Sequence, residues 1–584
     1  MIKFCNTLVL RSILYFIFCE IKIFFHYFKY FINFFRYVSF FKYLRYRKKD
    51  YHILRDRVQK EALKTNYSFW KTSLKKKDAQ DSILIISLVD VLDYGIGSVM
   101  IGKSLSKILN TSSVALIKES HFKTEIFIRS FGIDKIYYVP EGNIFSRLKF
   151  LFKSIGLIND TKKTDDLLKL KYHNVDVGIA TYDHHIRYTG VGSSDLVNAK
   201  MVYFLSKALM VQDFSENLFK SNSFKEVIQS EQQFIPSQII FQNALINNCK
   251  VFARIGTGNK ISVMIYDNYK DRYKDRHCFS KELLNLVHKN FDKNKSKQVE
   301  DYMAERFKGN PAFSVDHSIA EDKLNNFGEE KNLVNNYTKS VLCKKFNWDV
   351  NKPIVVIFAS DMTDGVFKVD WKIFKDFFTG FQETMKIIKK IKNINWIIKS
   401  HPNDVKMNVI TTTEKEVLKL SKECNNIKLF PKNFGNGPLP KIISAAVTVS
   451  GGSVGYEYPA LGIPSIISIG TMYAGNDFNH EAHTINDYQE ILKYADKLVP
   501  LSNEQISKAK TFIYTQNILA KNASSFIPET KEGIISKGYQ DINFWKNLKV
   551  ILDNYNFNED HFYKNFKIQL KKNDRHTINY NFLH

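Results

Sequence analysis

Four small residues, Ser450-Gly451-Gly452-Ser453, follow directly on an apolar run and precede a segment compatible with a helix. Small residues let the backbone approach a ligand closely, and the N–H groups at the start of a helix favour an anion. Glu457 follows about one helical turn later, where its carboxylate is placed to accept hydrogen bonds from sugar hydroxyls. This pattern predicts the phosphate-and-ribose end of a nucleotide-sugar site. An ordinary tight turn between a strand and a helix is the alternative interpretation.

Lys399 and His401 stand at the end of an earlier apolar run, Ile394 to Ser400. A lysine brings positive charge, and an imidazole N–H can donate to a phosphate oxygen. Transfer of a group from a nucleotide requires stabilisation of the leaving phosphate, and removing one such donor typically costs about 10²–10³ in rate. Lys399 is therefore predicted to bind the donor and His401 to act in catalysis. This chemistry needs no metal.

A loop predicted over Asp90 to Ser98 follows the first apolar strand of the chain, Ser82 to Val89. It carries Asp93, a candidate general base for deprotonating an acceptor hydroxyl. Gly95-Ile-Gly97 in the same loop is predicted as a turn, since a lone pair of glycines is a weak phosphate-binding signal. A solvated loop acid or a helix cap is the alternative interpretation of Asp93.

Asp183 and His185 provide a rival base. The apolar run Val175 to Thr181 predicts a strand directly before them, and ligand groups gather where parallel strands end. We interpret the cluster of Asp183, His184, His185 and Arg187 as an anion or acceptor site, with a purely structural loop as the alternative. Neighbouring histidines project in different directions, and no third ligand stands at a recognisable spacing, so no metal site is predicted.

The elements that position these residues alternate between apolar strands and helical segments, as is typical of doubly wound parallel sheets. In the second half of the chain, strands are predicted over Pro353 to Ser360, Ile394 to Ser400, Ile427 to Phe430, Ala445 to Val449 and Ile463 to Ile469, with a helix over Trp371 to Ile391. The first half is predicted to hold a long helix over Asp195 to Phe219 and a β-hairpin over Val251 to Tyr266. Residues 267–350 are charged, with poor periodicity, and are predicted to contain the interdomain region.

The segment Asn395 to Asn403, with its Lys-Ser-His-Pro ending, and the later segment Ser450 to Pro464 resemble the bacterial capsular and surface polysaccharide biosynthesis family. The resemblance spans roughly Pro353 to Tyr488. Its matching residues are Lys399, His401, Pro402, Gly452, Ser453, Gly455 and Glu457. The family includes glycosyltransferases that use CMP-activated Kdo. Related polyol-phosphate polymerases that use CDP-glycerol share a similar layout, which leaves the donor open.

The resemblance implies an α/β fold of the GT-B type, with two facing Rossmann-like domains and an N-terminal amphipathic helical extension. We predict four regions: 1–75 as membrane-facing helices and linker, 76–335 as the acceptor domain, 336–525 as the nucleotide-donor domain, and 526–584 as helices returning to the first domain. The donor-binding candidates are Lys399, Gly451, Gly452, Ser453, Gly455 and Glu457. The catalytic candidates are Asp93, Asp183, His185 and His401. The nucleotide sugar is a substrate, and no cofactor is predicted.

The formal net charge of +26 calls for an acidic partner, and the first 49 residues hold ten of the Lys and Arg residues with a single acid, Glu20. The polar positions Lys22, His26, Lys29, Asn33 and Arg36 recur at spacings of four and three residues within an aromatic background. This spacing predicts an amphipathic helix lying on an anionic membrane, with packing on the protein's own core as the alternative. No apolar span is long enough for a transmembrane helix, and no signal-peptide cleavage site follows.

These observations favour a glycosyltransferase of capsule or surface polysaccharide biosynthesis, peripheral on the cytoplasmic face of the inner membrane. Its partners would be a nucleotide sugar, a glycan or glycolipid acceptor, the anionic membrane surface and polysaccharide export machinery. A CDP-polyol phosphotransferase and a non-catalytic scaffold of an envelope assembly complex are the alternatives. A nucleic-acid partner is disfavoured because no helix-turn-helix, RNA-binding or zinc-finger signature accompanies the charge. Six cysteines without CxxC spacing fit a reducing compartment.

Overall fold

The computed structural model describes residues 7–23, 56–73, 82–158, 161–307, 337–359, 361–401, 409–431, 437–529, 539 and 541–582. The chain forms two compact units. Unit 1 comprises the described residues of 1–185, 195–272 and 522–578, and unit 2 those of 186–194, 273–521 and 579–584. The chain leaves unit 1 for short stretches at 186–194 and 579–584 and for the main part of unit 2 at 273–521, whereas the sequence analysis placed the bounds of the second domain at 336 and 525.

The strands are short and mostly buried. In chain order they are β1 (Ile83–Ser87), β2 (Ser113–Lys118), β3 (Ile136–Val139), β4 (Glu226–Gln229), β5 (Lys250–Ile255), β6 (Lys260–Tyr266), β7 (Ile354–Phe358), β8 (Asn395–Lys399), β9 (Ile427–Leu429), β10 (Ala445–Thr448), β11 (Ser465–Ile467), β12 (His480–Glu481) and β13 (Asn522–Ala523).

The helices of the first half of the chain are α1 (7–23), α2 (Arg57–Ser73), α3 (Leu92–Leu109), α4 (Phe122–Arg129), α5 (Ile144–Leu157), α6 (Thr164–Leu168), α7 (Val177–Thr189), α8 (Ala199–Lys220), α9 (Ser237–Ile246) and α10 (Lys281–Lys289). Those of the second half are α11 (Lys293–Phe307), α12 (Lys339–Phe346), α13 (Phe377–Ile388), α14 (Thr413–Glu423), α15 (Val454–Glu457), α16 (Ile485–Lys493), α17 (Asn503–Tyr514), α18 (Ile542–Asn554) and α19 (His561–Lys572).

Unit 1 is built on a seven-stranded sheet of order β13-β6-β5-β4-β1-β2-β3. Strands β1 to β5 are parallel, while β6 and β13 run antiparallel to their neighbours. The order 3-2-1-4-5-6 is that of a Rossmann-like sheet, with its reversal between β1 and β4. The predicted hairpin over Val251 to Tyr266 is confirmed as β5 and β6.

Unit 2 repeats this order with a fully parallel six-stranded sheet, β12-β11-β10-β7-β8-β9. The strand order reverses between β7 and β10, so this is the topological switch point of the unit. All the strands predicted between Pro353 and Ile469 are confirmed, each within a few residues of its predicted bounds. The prediction of two Rossmann-like α/β domains is confirmed.

The C-terminal helices complete the core of unit 1. Trp545 and Phe566 are fully buried in one cluster with Trp70 and Phe127. Trp70 packs edge-on against Phe557, with ring centres 5.2 Å apart. Burying an aromatic side chain removes a large apolar area from water, so α18 and α19 are integral to the fold of unit 1.

Three predicted elements were wrong. Val175 to Thr181 does not form a strand, since α7 begins at Val177 and carries Asp183 and His185 inside a helix. The loop predicted from Asp90 to Ser98 ends early, because α3 begins at Leu92 and contains Gly95-Ile-Gly97. The helix predicted from Trp371 is confined to Phe377–Ile388, where the Asp376 carboxylate accepts from the Thr379 N–H and caps it.

Candidate active site

The switch point of unit 2 brings three strand ends into one row. Phe358, the last residue of β7, pairs with Thr448 of β10 on one side and with Lys399 of β8 on the other. Neighbouring strands lie about 4.8 Å apart, so the Cα atoms of Lys399 and Thr448 are separated by about 10 Å. Ligands of doubly wound sheets bind outside the carboxyl ends of the strands at this point. The topology thus places Lys399 and the glycine turn at one edge.

The glycine turn is held by its own strand. Gly451 has φ of 78°, and a Cβ there would lie 2.5 Å from Thr471 Oγ1, so only glycine fits without strain. The N–H groups of Gly451 and Gly452 both donate to Thr448 Oγ1, at 3.1 and 3.0 Å. These are N–H groups that the sequence assigned to a phosphate. Their role in binding a ligand stays a prediction.

Gly455 is required by packing. A Cβ at this position would lie 2.0 Å from Tyr473 Oη. Tyr473 is fully buried and donates through that hydroxyl to the Gly452 carbonyl at 2.9 Å. The helix that follows, α15, is a single turn of four residues. Its dipole is correspondingly small, and the site's positive charge must come mainly from side chains.

Arg306, at the end of α11, supplies such a charge. It was not among the site residues predicted from the sequence. Its Nε donates to Glu457 Oε1, and its Nη2 donates to Ser453 Oγ at 2.9 Å. Glu457 is only 5% exposed, so the guanidinium compensates a buried carboxylate. Burial alone would lower the pKa of Arg306, but the Glu457 carboxylate raises it above its ordinary value. No local motif marks Arg306, because its partners lie far along the chain.

Lys399 is partly buried at the end of β8. Burial lowers the pKa of its ammonium to about 8. Its Nζ lies 5.1 Å from the centre of the Phe430 ring, within range of a cation–π interaction. His401 is half-buried just beyond the strand, and Pro402 lies outside the described residues. The donor-site roles predicted for Lys399 and His401 stay predictions.

Asp93 lies at the carboxyl edge of the unit 1 sheet, in the first turn of α3. It is 2% exposed and accepts from Arg254 Nη2 at 3.2 Å and from the Gly258 N–H at 2.9 Å. Gly97 makes room for this arrangement, since a Cβ there would lie 2.3 Å from Arg254 Nη1. The carboxylate is thus engaged in a buried ion pair. Its role as a general base stays a prediction, and the geometry favours a structural role.

Asp183 and His185 are buried on α7 rather than at a strand end. His185 Nε2 lies 3.4 Å from Asn198 Nδ2, and burial lowers the pKa of His185 to about 4. Burial likewise lowers the pKa of His184 to about 3, and its Nδ1 accepts from the Ile235 N–H at 3.3 Å. Both imidazoles are therefore neutral at pH 7. A general base works best when its pKa lies near the working pH, so this lowered pKa disfavours His185 as a base, and its catalytic role stays a prediction.

The fold and the site define the chain as a protein of two Rossmann-like α/β units with a cationic edge in the second. Comparison with protein-family profiles finds no match, and comparison with curated protein sequences finds none either. Among solved structures, the chain is similar to the Thermosulfurimonas dismutans KpsC β-Kdo 2,4-transferase, at 12% identity and a TM-score of 0.28, over 51% of this chain and 85% of that one.

Two UDP-GlcNAc 2-epimerases are also similar. That of Neisseria meningitidis, bound to UDP-GlcNAc, is 13% identical with a TM-score of 0.21, over 75% of this chain and 99% of the epimerase. That of Methanocaldococcus jannaschii, with UDP-GlcNAc and UDP, is 14% identical with a TM-score of 0.19, over 74% and 99%. Similarities at this level carry no inference about function, which depends on the site itself.

Proposed function

We propose that the chain is a glycosyltransferase of polysaccharide biosynthesis that binds its nucleotide-sugar donor at the switch point of unit 2. The observation that carries this proposal is the row formed by Lys399, Phe358 and Thr448, which aligns a lysine with the Gly451–Ser453 turn on one sheet edge. Such an edge with a cation and a close backbone turn suits a phosphorylated ligand. A cation at this edge would stabilise the charge of a leaving phosphate.

His401 is assigned to the leaving phosphate. A contact that strengthens as the phosphate gains charge lowers the barrier more than it lowers the energy of the bound donor. We therefore expect His401→Ala to reduce turnover by about 10²–10³ while changing donor affinity much less. His483→Ala is the matched control, since His483 is an exposed histidine of the same unit, paired at 3.7 Å with Glu481.

The decisive experiment is a calorimetric titration of the full-length protein with CMP, CDP, UDP and GDP. Binding of at least one nucleotide, weakened by Gly452→Val through steric exclusion, is the expected result. A preference among the four identifies the donor class and separates a CMP-sugar transferase from a CDP-polyol enzyme. Absence of binding by all four would overturn the proposed function.

We further propose that the enzyme works at an anionic membrane. Helix α1 packs on unit 1 through Phe16, which is 3% exposed, and through the Glu20–Arg147 ion pair. Its other side is an exposed apolar stripe at helical spacing, comprising Leu10, Leu14, Ile17, Phe18 and Ile21. Within the described segments, no helix combines the length and apolarity needed to span a bilayer. Of the predicted polar stripe, only Lys22 lies in the described residues, where its Nζ stands over the Phe18 ring.

A further inference from the structure

Arg306 is held on a rigid support. Helix α11 buries Val299, Tyr302 and Met303, and Lys510 of α17 pairs with Glu300 at 2.8 Å. The guanidinium at the end of this helix reaches the turn after β10, where Ser453 Oγ accepts from Nη2. An arginine with a fixed backbone and two side-chain contacts loses little further freedom when it meets a ligand.

The Arg306 guanidinium has more N–H donors than its two protein partners use. Of its five N–H groups, one on Nε and one on Nη2 are used by Glu457 and Ser453. Within the described part of the chain, the remaining three have no hydrogen-bond acceptor. The Arg306 side chain is 27% exposed, so the described residues do not enclose it completely. The pattern of two anchored and three available donors suits an oxyanion.

A purely structural role explains only part of this geometry. The buried Glu457 carboxylate requires a counterion, and Arg306 provides one. That requirement does not explain the second hydrogen bond of Arg306, to Ser453 Oγ. Lys399, at the end of β8, places a second cationic side chain at the same edge of the sheet.

The geometry points to Arg306 as a phosphate ligand of the donor site, with Glu457 and Ser453 as the residues that position its guanidinium. This inference rests on the proposed function, since it assumes that a nucleotide binds at this edge. It replaces the ribose contact predicted for Glu457 by a positioning role. The ligand class is a nucleoside mono- or diphosphate, whose non-bridging oxygens accept paired N–H donors.

Comparison of nucleotides with nucleosides tests the inference. The full-length protein is titrated with the best-binding nucleotide and with its nucleoside, the latter by saturation-transfer NMR. We expect Arg306→Gln to weaken nucleotide binding about 10- to 100-fold, as loss of a charged hydrogen bond does, and to leave nucleoside binding unchanged. Glu457→Gln should show the same selective loss. Lys297→Gln is the control on the same helix, because Lys297 is exposed and pairs with Asp301.

The possible results for the Arg306 and Glu457 variants distinguish between the roles of these two residues. Arg306→Gln leaves a buried carboxylate without its counterion, so the double variant Arg306→Gln with Glu457→Gln provides a neutral pair if the single variant fails to fold. The double variant should lose no more affinity than either single variant, since both act through one guanidinium. Equal loss of nucleoside binding in Glu457→Gln would restore the ribose contact and overturn the inference. Unchanged nucleotide binding in Arg306→Gln would overturn it too, leaving the proposed function intact, whereas an unmodified protein that binds no nucleotide would overturn both.

Discussion

The role assigned to Asp93 changes once its partner, Arg254, is known. Both members of the Asp93–Arg254 pair are nearly inaccessible, with side chains 2% and 4% exposed. Removing one partner leaves the other as an uncompensated buried charge, which typically costs about 3–5 kcal/mol. We expect Asp93→Asn to lower the free energy of unfolding by about this amount, measured by urea denaturation.

Glu559→Gln is the matched control for this prediction, since Glu559 is an exposed acid of the same unit. Its free energy of unfolding should stay within about 0.5 kcal/mol of the unmodified protein. A variant Asp93→Asn with unchanged stability but abolished transfer would contradict the structural role and support the predicted general base.

If Lys399 binds the phosphate as proposed, nucleotide binding should depend on pH. Burial lowers the pKa of its ammonium from the ordinary value of 10.5 to about 8, so the lysine loses its charge as pH rises through 8. A phosphate is bound better by the charged form. We expect the dissociation constant of the preferred nucleotide to rise above pH 8, by up to about tenfold per unit, measured by titration from pH 7 to pH 9.5.

Lys399→Arg should remove that rise, because a guanidinium keeps its charge throughout this range. The contribution of Lys399 to folding stability has the opposite pH dependence to its contribution to nucleotide affinity. Between pH 8 and pH 10.5 the unfolded chain binds more protons at this site than the folded chain, so the contribution of Lys399 to the free energy of unfolding increases with pH. An affinity that is flat across pH 8 in the unmodified protein would contradict the assignment of Lys399 to the phosphate.

At the scale of elements, α1 shows that a helix can be half packed and half exposed. Its apolar stripe is the surface we assign to the membrane, because burying each apolar side chain there contributes about 1.5–3 kcal/mol at most. We expect the double variant Leu14→Glu, Phe18→Glu to bind vesicles containing phosphatidylserine at least about tenfold more weakly, measured by co-sedimentation.

Val499→Glu is the control for this variant, since Val499 is an apolar residue of unit 2 that is 76% exposed. It should bind vesicles as the unmodified protein does. Undiminished vesicle binding by the Leu14→Glu, Phe18→Glu variant would contradict the proposal that α1 contacts the membrane.

At the scale of the whole molecule, the chain crosses between its units more than once, and each unit has a core of its own. Independent cores unfold as separate transitions when their stabilities differ. We expect two calorimetric transitions. Trp545→Ala should lower the free energy of unfolding of unit 1 alone, by about 3–5 kcal/mol, because Trp545 is fully buried in the core of that unit. Only the transition temperature of unit 1 should therefore fall.

The preferred nucleotide should raise only the other transition, because a ligand stabilises the unit that binds it. Trp396→Ala is the matched variant for that unit, since Trp396 is fully buried in β8. Trp396→Ala should lower the same transition temperature that the nucleotide raises. A single transition that both tryptophan variants shift equally would contradict separate unfolding.

The positions of the strands of unit 2 along the chain could be predicted locally, because each strand is a short apolar run bounded by turn residues and strand periodicity is a short-range property. The same reasoning failed at Val175 to Thr181, where an apolar run of strand length became the first part of α7. A buried helix segment and a buried strand have the same local composition, and only packing separates them.

The sequence by itself determined that Lys399 and the Gly451–Ser453 turn each stand at the end of a strand, because both signals are carried by neighbouring residues. Only the tertiary structure decided that Phe358 aligns them in one row, that Arg254 engages Asp93, and that Arg306 reaches Glu457 and Ser453. Those partners are separated by long stretches of chain. Their pairing depends on the burial of charge and on the packing of whole helices, which no local pattern records.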